Sequence, residues 1–209
     1  MSIVKLSNNG VKNATAFGSI TGLGSMTFIK KLTASSSATL SFVDGASSVV
    51  LDNTYKEYLF TFKDIHPATD NVAFQFNLSI DSGSNYNVTK TSTSFRAYVY
   101  EDGSSGTLQY EASHDLAQST NAERLCAADL GNDNDQCFSG SLHLFNPSST
   151  TFVKHYTARA NHNHGADLTV DFYKAGYANT TSAVDAVQFS MSSGNIDAGK
   201  IKLYGIKDS

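Results

Sequence analysis

The run SAVDAVQFSMSSGNIDAGKIKLYGI, residues 182–206, decides the fold class. Val187, Phe189 and Met191 alternate with Gln188 and Ser190, the period of a strand with one buried face. Ser192-Ser193-Gly194-Asn195 is turn chemistry, with Gly194 free to take a positive φ. Beyond the turn, Ile201, Leu203 and Gly205 form an inward face, with Lys200, Lys202 and Tyr204 outward. The run reads as a hairpin of two strands.

The same period recurs upstream. Val72, Phe74, Phe76, Leu78 and Ile80 alternate with Ala73, Gln75, Asn77 and Ser79, and Asp81-Ser82-Gly83-Ser84-Asn85 turns the chain. Tyr58, Phe60 and Phe62 share one face of residues 57–63. Strands are also expected at 26–32 and 38–43, as a first pair, and at 95–100, 107–111, 140–145, 152–159 and 168–173. Pro67 and Pro147, the two prolines, fall in turn-like contexts and leave the sheets uninterrupted. The segment around Ala122-Glu123-Arg124-Leu125-Cys126-Ala127-Ala128 resists this pattern and is expected to form a helical turn or two, followed by a polar loop over 129–136. Short strands at this frequency point to a sandwich or a barrel, and the fold expected is an all-β, antiparallel β-sandwich of jelly-roll-like type.

The sandwich is assigned to residues 26–209. Residues 1–25 are polar, broken by Asn8-Asn9-Gly10 and Gly22-Leu23-Gly24-Ser25, and hold too little apolar area to fold alone. They are expected to be an extended assembly arm that docks on its own domain or on a neighbouring subunit. No internal repeat marks a fibre shaft.

Fifteen basic residues against nineteen acidic ones give a net charge of −4, which argues against a nucleic-acid grip and against an anionic membrane surface. No stretch approaches the ~20 apolar residues of a membrane span. Met1–Leu6 lacks the apolar run of a secretory signal, so synthesis in the cytoplasm is expected. The low charged fraction is not disorder, because 13 Phe and 10 Tyr supply a large apolar area. A chain of this size buries about 70% of its unfolded surface, enough for a core without a cofactor.

Three blocks carry a resemblance. They are the closing run, with AVDAVQF, SSGNI and LYGIK; Thr54–Phe60 followed by Ile65–Asn71; and Leu144–His155. In this order they resemble a β-rich module of tailed-bacteriophage virion proteins of the marine phage type, often labelled tail fibre or structural protein. The resemblance implies a non-enzymatic virion component, made in the host cytoplasm, in contact with other virion proteins and forming a homo-oligomer, with a trimer carried over from fibre modules. Its usual label implies host attachment, through loops that bind a host-surface glycan or protein. A capsid decoration (cement) protein anchored by the arm is the alternative. A free-standing carbohydrate-binding module is the second.

No residue set rises to a catalytic, cofactor or metal site. Nucleophile motifs and phosphate loops are missing. His162 and His164 are expected on an exposed polar loop, near His143 and His155. Asp129, Asp133 and Asp135 with Asn132 and Asn134 suggest a calcium loop, but position six is Asn134 and position twelve Gly140, so the EF-hand pattern fails and a solvated loop is expected. Cys126 and Cys137 are two buried thiols or a disulfide formed after release, worth ~3 kcal/mol; zinc would need a second pair. Tyr86, Tyr98, Tyr100, Tyr110 and Tyr156 are candidates for sugar contact, each equally suited to ordinary half-buried strand positions.

Overall fold

The computed structural model describes residues 25–208. The arm assigned to residues 1–25 lies, except for Ser25, outside them. Twelve strands follow: β1 (Met26–Thr33), β2 (Thr39–Val43), β3 (Glu57–Pro67), β4 (Phe74–Ser79), β5 (Lys90–Tyr100), β6 (Gly106–Tyr110), β7 (Glu123–Arg124), β8 (Phe138–Phe145), β9 (Lys154–His164), β10 (Leu168–Ala178), β11 (Ala186–Met191) and β12 (Ile196–Ile206). One sheet runs β1-β12-β3-β8-β9-β10-β5-β6, the other β2-β11-β4-β7, and these strands pair antiparallel throughout.

Four pairings define the topology: β1 with β12, β2 with β11, β3 with β8 and β4 with β7. They are successive rungs of one antiparallel ribbon. Rolling that ribbon brings β12 beside β3 and β11 beside β4, which is a jelly roll. The hairpins β5–β6 and β9–β10 are insertions. Both join the large sheet beyond β8, so four strands extend past the small sheet.

The core forms where the two quartets face each other. The Phe189 ring on β11 lies 5.2–6.4 Å from the rings of Phe42, Phe60, Phe62, Phe74 and Phe76. Phe60 and Phe62 come from the large sheet and the others from the small one, so Phe189 ties the layers together. Each such ring pair is worth ~0.5–1.5 kcal/mol beyond area burial.

The alternations of the closing run hold: Val187, Phe189, Met191, Ile201, Leu203 and Gly205 are buried. The hairpin does not. β11 belongs to the small sheet and β12 to the large one, so Ser192–Asn195 carries the chain between layers. Gly194 has φ +71, and a Cβ there would sit 2.2 Å from Thr69 Oγ1. The expected β1–β2 pair fails for the same reason. Ala34 N–H bonds Gly199 O at 2.9 Å and Ser37 pairs with Ile196, steering β1 and β2 onto different layers. Turn residues announce a reversal but not whether it stays within a sheet.

The expected helical segment is strand β7 with irregular flanks; the one helical element among the described residues is a 3-10 turn at Ala112–His114. Gln75 and Phe76 on β4 pair with Arg124 and Glu123, and Leu125 N–H bonds Phe74 O at 2.8 Å, which removes these groups from helical bonding. Pro67 closes β3 inside the sheet instead of lying in a turn. Ile80 falls beyond β4 and is 43% exposed.

Residues 111–137 form a strap across the inner face of the four added strands. The strap is pinned by polar groups. Lys174 on β10 meets Glu123 at 3.0 Å, both side chains fully buried. Tyr156 donates its hydroxyl to Glu123, and Lys174 Nζ donates to His114 O at 2.6 Å. Arg96 on β5 reaches Glu111 at 2.8 Å and Asp129 at 2.6 Å, while Asp129 also faces His162 Nε2 at 2.8 Å. Burial works to raise the Asp129 carboxyl, but the His162 hydrogen bond, with His164 and Arg96, outweighs it and holds the group below the usual range.

Lys90, buried at the start of β5, donates to Asn77 Oδ1 and, at 2.8 Å, to Val88 O. Burial pushes its ammonium down to about 8, with Glu123 opposing. Between about pH 8 and 10.5 the unfolded chain therefore binds more protons than the folded one, and stability rises with pH. Wild type is expected to gain stability relative to Lys90→Met across that window, in urea midpoints measured at both ends. A gap that stays constant or moves the other way refutes the assignment.

Candidate binding face

The jelly roll buries one face of the eight-stranded sheet and leaves the other open. Strand register arranges that outer face in rows crossing the strands. Phe95, Tyr173 and Arg159 are register partners on β5, β10 and β9. The Phe95 and Tyr173 rings stack at 4.6 Å and 8°. From the β9 side the Arg159 guanidinium lies 4.9 Å from the Tyr173 centroid. The same guanidinium forks onto Asp171, at 3.1 and 2.8 Å. Tyr110 on β6 extends the row. The result is a ridge of stacked planes.

Hollows flank it. On one side a space of about 630 Å³ is floored by Ala97, Asn161 and Thr169. On the other, two adjoining spaces of about 400 and 380 Å³ share Thr93, Ala175 and Thr157 as floor. These three are again register partners on β5, β10 and β9. The far wall holds His155 and Tyr177, ring centroids 6.1 Å apart. His143 bounds one end, 2.9 Å from Glu57 and packed on Phe145 at 4.1 Å.

The opposite charges of the ridge are paired. The Asp171 hydrogen bonds push the Arg159 guanidinium above its ordinary value, and the Arg159 hydrogen bonds hold the Asp171 carboxyl below its own. Both groups stay ionised and cancel.

The sugar-contact tyrosines do not come together. Tyr156 is buried beneath Glu123, Tyr98 and Tyr100 share the β5 face of Arg96, and Tyr86 lies in the loop after β4. Of the five, Tyr110 lies on the outer face, 64% exposed. Phe95, Tyr173 and Tyr177 were not among the candidates. Phe95 and Tyr173 fall within expected strands and Tyr177 beyond one, but only the pairing of β5 with β10 shows that Phe95 meets Tyr173.

The histidines are relocated as well. His162 and His164 are strand residues of β9, not loop residues, and His162 is 1% exposed against Asp129. That contact draws Asp129 out of the expected solvated loop. Among the described residues no group of three or more His, Cys, Asp or Glu is placed to hold a metal ion. Cys126 and Cys137 are free thiols, Cys126 buried and Cys137 half-buried. Burial raises both, and Cys126 Sγ accepts the Phe74 N–H at 3.2 Å.

No protein-family model, curated protein or solved structure matches the chain.

Proposed function

We propose that the chain is a non-enzymatic, surface-exposed structural protein of a tailed-phage virion, working in host attachment through the outer face of its eight-stranded sheet. The resemblance in the closing run, Thr54–Asn71 and Leu144–His155 supports the virion setting. Jelly rolls serve capsid and lectin domains alike, so the fold alone does not select a role. The observation that carries the reading is the Phe95–Tyr173–Arg159 ridge with open hollows on both sides, a rigid recognition surface on strands instead of loops.

Capsid decoration stands as the second reading, on a separate observation. At the opposite sheet edge Met26 and Phe28 are 52% and 55% exposed, beside Ile206 and Tyr204. This apolar strip adjoins the start of the sandwich, where residues 1–25 join it, and suits an assembly contact.

Immunogold labelling of intact particles, with an adsorption assay, tests both. Tail labelling, with antibody fragments blocking adsorption, is the expected result. Label on heads alone selects decoration. Particles without label, or purified protein that cleaves a polysaccharide, refute the proposal.

A further inference from the structure

We infer that the trough floored by Thr93, Ala175 and Thr157 is a binding site for an extended, uncharged polysaccharide chain lying across the strands. The inference rests on the recognition reading above and adds the ligand class and its position.

Shape comes first. The floor residues are small and lie in register on three neighbouring strands, while the walls on either side are tall. From Tyr173 to Tyr177 the two wall rows are about 13 Å apart along the strand, leaving room for one chain between them. Adjacent strands repeat every ~4.8 Å, close to the advance of one pyranose ring along a polysaccharide. Each floor residue would meet successive sugar units. The combined space falls in the ~300–1,000 Å³ range of small-ligand sites.

Chemistry selects among polymers. Thr93 and Thr157 supply hydroxyls that both donate and accept, as a polyol requires, while the Thr91 hydroxyl oxygen is already taken by Gln118. Phe95 covers one face of Tyr173 and Arg159 approaches from the opposite strand, so the ridge offers ring edges instead of a flat face. Ring edges carry the positive end of the aromatic quadrupole and suit hydroxyl oxygens. The cation of the ridge is already matched by Asp171, so an acidic polysaccharide or nucleic acid finds no uncompensated charge there. An extended peptide fares no better. Peptides add to sheets at edges, and the floor backbone of β10 is already paired on both sides by β9 and β5.

The test is titration calorimetry of the full chain against cellohexaose, mannohexaose, xylohexaose and chitohexaose, with polygalacturonate and dextran sulfate as acidic probes. At least one neutral probe is expected to bind. Affinity is expected to fall by at least about tenfold in Ala175→Tyr, which fills the floor with a good strand residue, and in Tyr173→Ala. Ile80→Ser, beyond the end of β4 on the other layer, should bind as wild type. Retention of the folded circular-dichroism spectrum by Ala175→Tyr guards against a trivial loss. Binding to acidic probes alone, to none of the six, or equally well by Ala175→Tyr overturns the inference. Labelled virions with no neutral-glycan binding would reject the trough and leave attachment standing; glycan binding with unlabelled virions would do the reverse.

Discussion

Phe189→Ala is expected to lower stability by ~3–5 kcal/mol, a loss on the scale of the whole folding free energy of a typical domain. The residue is fully buried, and the five phenylalanine rings around it come from both layers. Truncation removes the transfer free energy of the ring and leaves a cavity that two stiff sheets cannot close. Urea unfolding followed by tyrosine fluorescence measures the effect. Phe152→Ala is the control: at 69% exposure it should stay within ~0.5 kcal/mol of wild type. A Phe189→Ala loss below ~1 kcal/mol would mean that the sheets do not pack through this ring.

Lys174→Ala is expected to cost ~3–5 kcal/mol by a different route. Glu123 would keep its buried carboxylate with the Tyr156 hydroxyl but without its directly paired cation. Replacing both partners, as Lys174→Met with Glu123→Leu, should be less damaging than the sum of the single changes. Recovery will be incomplete, since the Tyr156 hydroxyl and His114 carbonyl each lose a partner, at ~1–3 kcal/mol apiece. A double-mutant cycle gives the coupling. A value near zero would show that Lys174 and Glu123 do not interact in solution.

This ion pair also explains which strand faces were hard to read. In the quartets that form the jelly roll, polarity and burial agree: Phe60, Phe62, Phe74, Phe76 and Leu203 point inward and Lys202 and Tyr204 outward. On the added strands they disagree. Lys90, Lys154, His162 and Lys174 are buried, while Phe95, Val99, Leu108 and Tyr110 are exposed. The inner face there is covered by a strap that carries its own charges, so beside buried Val170 and Phe172 it also buries cations and a histidine, matched to Glu111, Glu123 and Asp129 or to backbone carbonyls. Periodicity survives this inversion, but the inference from polarity to exposure does not.

The candidate face was less visible still. Phe95 lies 64 residues before Arg159 and 78 before Tyr173, and nothing local links it to the hairpin that carries them. Tyr110 alone among the five sugar-contact tyrosines belongs to the surface that the sheet builds.

Alternating side chains and turn residues sufficed to determine an all-strand sandwich, most of its strands and the inward set of the jelly-roll core, because these depend on local period and on apolar burial. Tertiary structure alone decided that β11 and β12 part between layers, that His162 is buried, that residues 111–137 cover charged strands and that a ridge crosses the open face. Those outcomes depend on which strand lies beside which, and register is set by contacts between residues far apart in the chain.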